Sequence, residues 1–186
     1  MSRATVLASA FLLFWGPLPY HAPSPAQGQA DDAQVIFNNM KYLEPLVGNW
    51  NAVMRFHGRD GSTREETATF RISWALDNTY LKQEITRPRQ SILVFITYNP
   101  VRAKYDSTYF YSRWALRVTE TGEYDDKSKE FRTTAFIPLE DGTRDENVRT
   151  ITKLAKTGEI EYLHYSRYNN ESTEVMDLDI KMTPMH

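Results

Sequence analysis

Three histidines and two carboxylate pairs are the residues of this sequence whose types could support metal or acid–base chemistry. After the first 30 residues the histidines are His57, His164 and His186, and no two of them lie at the spacing of a ligand pair. A zinc or iron site usually needs two or three converging nitrogens or thiolates, and the chain has no cysteine. The sequence therefore predicts no metal site and favours surface or rim positions for the histidines.

The carboxylate pairs are Asp177 with Asp179 and Glu159 with Glu161. Residues two apart share one face of a β-strand, so each pair could perform general acid–base work. A solvent-facing polar face explains the same spacing, and it is the interpretation we favour. The chain also lacks the G-x-S-x-G sequence of a serine nucleophile and any glycine-rich phosphate loop. We therefore predict no catalytic residue.

A tryptophan, three tyrosines and an arginine are the candidates for a ligand site. Trp74 alternates with polar neighbours, and we expect it to point inward. The hydroxyl groups of Tyr98, Tyr109 and Tyr111 could orient a mostly apolar ligand. Arg149 would need an acidic partner or an anionic ligand if it pointed inward. Core packing for Trp74, aromatic pairs on the outside for the tyrosines and an outward arginine are the alternatives.

These candidates lie on segments in which apolar and polar residues alternate, as in 68–74. The segments end at turn-forming residues, for example at 58–61 and 140–143. About ten such segments follow one another with no helix long enough for a parallel crossover, which predicts an antiparallel meander. The strand over 91–98 is apolar on both faces, so we expect it to be covered on both sides or to mark an interface.

A sequential antiparallel sheet of this length hides its edges only by closing on itself. Before it, an apolar stripe predicts a helix over 33–43, with Asp31-Asp32 at its start and Pro45 marking its end. Gly48-Asn49-Trp50 follows at the head of the first strand. The predicted fold class is all-β, an antiparallel up-and-down, lipocalin-like barrel of about ten strands closed at one end by the short helix. Trp50 is expected to seal that end, so a pocket should open at the other.

The N-terminus has the pattern of a secretory signal peptide. Arg3 precedes an apolar run over 4–15 that is too short to span a bilayer, and small residues at 28–30 suit cleavage. We predict a signal peptide over 1–30 and one barrel domain over 31–186, with an N-terminal membrane anchor as the alternative. An exported chain without cysteine suggests a periplasmic or secreted protein. The formal net charge of −2, without a basic cluster, argues against nucleic acid and membrane-surface partners.

An ordered set of short motifs spans nearly the whole chain after residue 30. They are Leu46-Val47-Gly48-Asn49-Trp50, Ser73-Trp74-Ala75-Leu76, Tyr80-Leu81-Lys82-Gln83-Glu84, Thr97-Tyr98-Asn99, Lys104-Tyr105, Ser107-Thr108, Gly122-Glu123-Tyr124-Asp125 and Val148-Arg149-Thr150-Ile151-Thr152. The set resembles the lipocalin-like, calycin-type barrels, and among them a bacterial exported family of unknown function, the DUF1579 type. The resemblance implies the barrel fold and brings no established activity, ligand or catalytic residue.

The L-x-G-x-W opening is also similar to that of the nitrobindin-like haem proteins. Their haem ligand is a histidine on the last strand, whereas the last predicted strand here, Glu174 to Ile180, contains none. We therefore predict no haem and no other cofactor.

The function that we predict is an exported, non-catalytic barrel that binds a small, largely apolar ligand. The expected ligand residues are Trp74, Tyr98, Tyr109, Tyr111 and Arg149. An assembly module, in which the strand over 91–98 forms a homodimer or another protein interface, is the second hypothesis. A cyclase- or isomerase-like barrel enzyme is the third, and its signature would be a buried Glu or Asp with a raised pKa that faces a Tyr.

Overall fold

The computed structural model of the protein describes residues 27–138, 145–154 and 158–185. The elements in this part of the chain are α1 (Gln27–Met40), a 3-10 helix (Lys41–Leu46), β1 (Gly48–His57), β2 (Thr63–Ala75), β3 (Tyr80–Arg87), β4 (Gln90–Asn99), β5 (Lys104–Tyr111), β6 (Trp114–Asp125), β7 (Glu130–Pro138), β8 (Asp145–Leu154), β9 (Ile160–Tyr168) and β10 (Val175–Pro184). Most of the predicted signal peptide, the predicted turn at 140–143 and His186 lie outside the described residues.

Each strand pairs antiparallel with the next along the chain, and β1 also pairs with β10. Trp50 on β1, for example, lies opposite Phe70 on β2 and opposite Pro184 on β10. The sheet is therefore a closed ten-stranded barrel, which confirms the predicted fold class. Closure satisfies the backbone groups that an open sheet would leave unpaired at its edges.

Side-chain alternation separates the barrel interior from the outer face. On β1, Ala52 and Met54 are buried while Asn51 is exposed. Gly122 occupies an inward position on β6, and a Cβ atom placed there would lie 2.2 Å from the carbonyl oxygen of Arg132 on β7. The absence of a side chain at Gly122 therefore allows these two strands to approach each other closely.

The helical segment closes one end of the barrel. Met40, Leu43 and Leu46 are buried there, and the indole nitrogen of Trp50 donates a 3.0 Å hydrogen bond to the carbonyl oxygen of Leu46. Gly48 has a φ of 148°, a backbone conformation that side chains rarely allow. The G-x-W motif thus turns the chain from the helical segment into β1 and seals this end with Trp50, as predicted.

The helix differs from the predicted range of 33–43. It begins before Asp31 and ends at Met40, where the 3-10 helix takes over. Met40, Leu43 and Leu46 are spaced by three residues, and side chains at this spacing lie on one face of a 3-10 helix. All three side chains are buried at the closed end of the barrel.

The outer face of β4 is covered in part by its own neighbours. The Phe95 ring packs edge-to-face against Tyr80 and Phe110, with centroid distances of 6.3 and 6.4 Å. Phe110 keeps 43% of its surface exposed. The strand that the sequence predicted to be apolar on both faces therefore has a packed inner face and a half-covered aromatic outer face.

Candidate functional site

The barrel interior contains a cavity of about 190 Å³. Its wall is mainly aliphatic and aromatic, with polar side chains concentrated on β5, β6, β8 and β9. The polar residues of the wall are Gln83, Arg87, Tyr109, Tyr111, Glu120, Thr150, Thr152, Tyr162 and His164. An apolar cavity with a few convergent polar groups is the usual form of a small-molecule site.

Among the described residues of the cavity wall, Glu120 is the one carboxylate, and 3% of its surface is exposed. The hydroxyl of Tyr109 donates a 3.1 Å hydrogen bond to its Oε2 atom, and the hydroxyl of Thr133 donates to the same atom. Burial raises the pKa of Glu120, although these hydrogen bonds and the charge of His164 act in the opposite direction. Within the described chain no hydrogen bond reaches its other oxygen, Oε1.

A polar row, defined as Glu120, Thr133, Thr150 and His164, crosses the inner face of four adjacent strands. The Thr133 hydroxyl bonds to Glu120 and to the hydroxyl of Thr150. Thr150 lies directly opposite His164 in the β8–β9 pairing, where Cβ atoms are typically about 5 Å apart. The row therefore brings a carboxyl group, two hydroxyl groups and an imidazole to one side of the cavity.

His164 is held by a carboxylate at the outer end of this row. Its Nδ1 atom lies 2.5 Å from Oδ1 of Asp177, and the Ser166 hydroxyl donates a 2.5 Å hydrogen bond to Oδ2 of Asp177. Burial lowers the pKa of His164, but the hydrogen bond and charge of Asp177 outweigh it, and the net pKa is raised. A hydrogen-bonded Nδ1 leaves Nε2 as the imidazole nitrogen available to the cavity that His164 lines.

A β-bulge on β10 gives Asp177 this position. The β9–β10 register shifts between Met176 and Leu178, so Asp177 is the extra residue. The expectation that Asp177 and Asp179 share an outward polar face was wrong, because the bulge interrupts the two-residue alternation. Asp179, unlike Asp177, contacts side chains of β1. Its Oδ2 atom lies 2.7 Å from Nε2 of His57, and its Oδ1 atom lies 3.7 Å from a guanidinium nitrogen of Arg55.

Tyr109 and Tyr111 line the cavity, so of the two positions that the sequence left open for them the structure shows the inward one. Their rings stack at a centroid distance of 6.4 Å with an interplanar angle of 15°. Burial, followed by the charge of Glu120, raises the pKa of Tyr111 to about 12, and the same two causes raise that of Tyr109. Both phenols are therefore neutral hydrogen-bonding groups at physiological pH.

The other three predicted ligand residues do not line the cavity. Trp74 lies towards the closed end, where its indole nitrogen donates a 2.8 Å hydrogen bond to Glu44. Tyr98 packs edge-to-face on Tyr105 at 5.2 Å in the core near the same end. The Arg149 guanidinium binds Glu174 and stacks over the Tyr165 ring at 4.0 Å. Arg149 alternates with the inward Val148 and Thr150, so its side chain points to the outer face.

The mouth of the cavity lies at the end opposite the helical segment. Arg87 from the cavity wall donates hydrogen bonds of 2.8 and 3.2 Å to Glu66, and its guanidinium stacks over the Phe56 ring at 4.9 Å. His164 also lines a second depression on the protein surface. The other residues of this depression are Phe56, His57, Gly58, Ser62, Arg64, Asp177 and Leu178.

Glu120 was not singled out by the sequence analysis, and His164 was considered there only as a surface or rim histidine. Glu120 is two residues from Val118 and two from Gly122, so alternation places it among the inward positions of β6. That position was the available signal of a buried carboxylate. His164 was expected at the surface or rim. It alternates with Tyr162 and Ser166 on β9 and lies at the rim of the barrel, where it lines both the cavity and the surface depression.

Across the described residues, no group of three or more His, Asp and Glu side chains could hold a metal ion. In the same part of the chain, no helix has the length and apolar character needed to cross a membrane.

A comparison with protein families identifies the group to which this barrel belongs. The family described as a protein of unknown function, DUF1579, matches residues 38–181, which is more than half of the chain. The chain belongs to the DUF1579 family. The matched range includes the 3-10 helix, Trp50 and every strand that carries the polar row. No curated protein matches the chain, so the site of this DUF1579 protein has to be interpreted from its own geometry.

Proposed function

We propose that this DUF1579 protein binds a small, largely apolar ligand inside the barrel, with one polar group of the ligand next to Glu120. The observation that carries the proposal is the interior cavity of about 190 Å³ whose wall includes the buried Glu120 carboxyl group. A cavity that holds a single water molecule has a volume of roughly 10–15 Å³, so this cavity is much larger than a packing defect. The aliphatic and aromatic wall favours apolar ligands through burial of their surface.

The ligand enters at the mouth, because the helical segment fills the other end. His164 belongs to the wall of both the cavity and the surface depression near the β1–β2 turn. Its imidazole therefore lies on the path from solvent to Glu120. The rings of Tyr109 and Tyr111 line the same interior and add aromatic surface for the ligand to pack against.

An NMR titration with cyclohexanol tests this proposal. We expect amide and methyl shifts to concentrate on residues of the cavity wall such as Ile85, Val118 and Ile180. Val118 lies opposite Tyr109 in the β5–β6 pairing. Val118→Phe should fill the space beside Glu120 and weaken binding at least about tenfold, or about 1.4 kcal/mol.

Val101→Phe is the matched control, because Val101 is 91% exposed in the turn between β4 and β5. This variant should bind cyclohexanol as the wild type does. Saturable shifts that persist in Val118→Phe, or shifts that map to the outer face, would contradict an interior site.

A proton-transfer enzyme is the second candidate, and the Glu120–Tyr109 pair favours it. A buried carboxyl group with a raised pKa beside a phenol is the arrangement expected of a barrel isomerase. Such a carboxylate could take a proton from a carbon next to a ketone and return it to the same or another carbon, with no co-reactant. The test is deuterium incorporation from D₂O into cyclohexanone, which the wild type should accelerate about a hundredfold or more over Glu120→Gln. Equal rates would exclude this role for Glu120.

A further inference from the structure

In the part of the chain that the structure describes, the cavity wall carries one carboxylate, Glu120, and two cationic side chains, each of which is paired with a carboxylate outside the wall. Arg87 is paired with Glu66 at 2.8 Å, and His164 is paired with Asp177 at 2.5 Å. Glu120 has no such partner, because no Lys, Arg or His side chain in the described part of the chain forms an ion pair with it. The charge of His164 acts on Glu120 from a distance, but the imidazole is ion-paired with Asp177.

One oxygen of Glu120 is available for a ligand. The hydroxyl groups of Tyr109 and Thr133 both donate to Oε2, which leaves Oε1 without a hydrogen bond from the described residues. A buried carboxylate is costly unless it is paired and hydrogen-bonded. A cation that reached Oε1 would therefore supply the interaction that the protein itself lacks.

The surroundings of Glu120 favour positive charge in two further ways. The rings of Tyr109, Tyr111 and Tyr162 line the same cavity, and aromatic faces attract cations. At Tyr111, burial and the negative charges of Glu120 and Glu146 raise the pKa and outweigh the opposing charge of Arg87. An anionic ligand would meet the charge of Glu120, and Arg87 of the cavity wall is paired with Glu66, which Arg64 also binds.

We propose that the ligand of this barrel is a hydrophobic organic cation, a small protonated amine whose ammonium group pairs with Oε1 of Glu120. Its hydrocarbon part would lie against the aliphatic wall formed by residues such as Met54, Ile85 and Ile180. This inference rests on the proposed ligand-binding function and specifies the chemical class of the ligand.

Three probes of the same ring size test the inference by isothermal titration calorimetry at pH 7.5. They are cyclohexylamine, cyclohexanol and cyclohexanecarboxylate. The amine should bind at least about tenfold more tightly than the alcohol, because hydrogen bonds to charged groups are worth more than neutral ones. The carboxylate should bind more weakly than both.

Glu120→Gln should reduce the affinity for cyclohexylamine to about that for cyclohexanol, since the charged interaction is removed. The matched control is Glu123→Gln. Glu123 lies on the same strand but is exposed and binds Lys104 at 2.6 Å, so its loss should leave all three affinities unchanged.

The outcomes separate this inference from the function on which it rests. If cyclohexanol or cyclohexanecarboxylate binds as tightly as the amine, recognition of a cation is wrong and interior binding stands. If none of the three probes binds, both proposals fail. If Glu120→Gln does not fold, the ranking of the three probes on the wild type decides the question alone.

Discussion

Replacing Glu120 by glutamine should stabilise the protein at pH 8 in the absence of ligand. Folding moves this carboxyl group from water into the barrel, and burial raises its pKa above the ordinary value of 4.5. Below that value the group is protonated in both the folded and the unfolded chain, and no penalty arises. Above that value the carboxyl group ionises more readily in the unfolded chain than in the folded protein. The free energy of unfolding of the wild type therefore falls as the pH rises through the folded-state pKa. Glutamine does not titrate and escapes this loss.

The magnitude follows from the size of the pKa shift. Each unit by which burial raises the pKa of Glu120 costs about 1.4 kcal/mol once the pH exceeds the folded-state pKa. In a domain of this size, about 1 kcal/mol changes the melting temperature by roughly 2–4 °C. The glutamine amide oxygen can accept the bonds from Tyr109 and Thr133 that Oε2 accepts now. Its amide nitrogen then faces the cavity, where water can accept its hydrogen bonds.

Thermal unfolding followed by circular dichroism at pH 4 and pH 8 measures the effect. We expect Glu120→Gln to melt a few degrees above the wild type at pH 8 and within about 1 °C of it at pH 4. Glu123→Gln, which removes an exposed carboxylate from the same strand, controls for net charge. A lower melting temperature of Glu120→Gln at pH 8, or an equal gain at both pH values, would refute the reasoning.

Three further predictions concern the imidazole, a strand contact and a buried hydroxyl. Asp177→Asn should lower the pKa of His164, because it removes the charge that outweighs burial, and an NMR titration of the imidazole Cε1 proton would show no change if this were wrong. Gly122→Ala should lower the free energy of unfolding in urea by about 1–3 kcal/mol, since the Cβ atom of the alanine would overlap the carbonyl oxygen of Arg132. A decrease of less than about 0.5 kcal/mol would contradict this. Ser107→Ala should leave the free energy of unfolding unchanged or raise it by up to about 1 kcal/mol, because the Ser107 hydroxyl is buried without a partner among the described residues. A lower free energy of unfolding would mean that this hydroxyl does form a hydrogen bond.

The barrel was predictable because its determinants are local. Alternation over stretches such as 68–74 and turn residues such as 58–61 define each strand without knowledge of its partners. Closure then follows from the need to pair two edge strands, β1 and β10. The position of Trp50 at the closed end was predictable for the same reason, because it directly follows the helical segment.

The candidate site was less predictable because it depends on contacts between distant strands. The bulge that turns Asp177 towards His164 adds one residue without a marker in the sequence. The volume of the cavity depends on how the inward side chains of all ten strands fill the interior together. Two side-chain orientations were predictable. The alternation of inward and outward residues on β6 and β8 indicates that Glu120 points inward and that Arg149 points outward.

Native mass spectrometry of the protein purified from its own host tests the central claim most directly, that the barrel interior holds a small ligand. The wild type and the Val101→Phe control should carry a bound small molecule that Val118→Phe lacks, since Val118 lines the cavity and Val101 is exposed in a turn. The released molecule should ionise as a cation if Glu120 recognises an amine. Bare protein mass in all three samples, or equal retention of the molecule in Val118→Phe, would contradict the account.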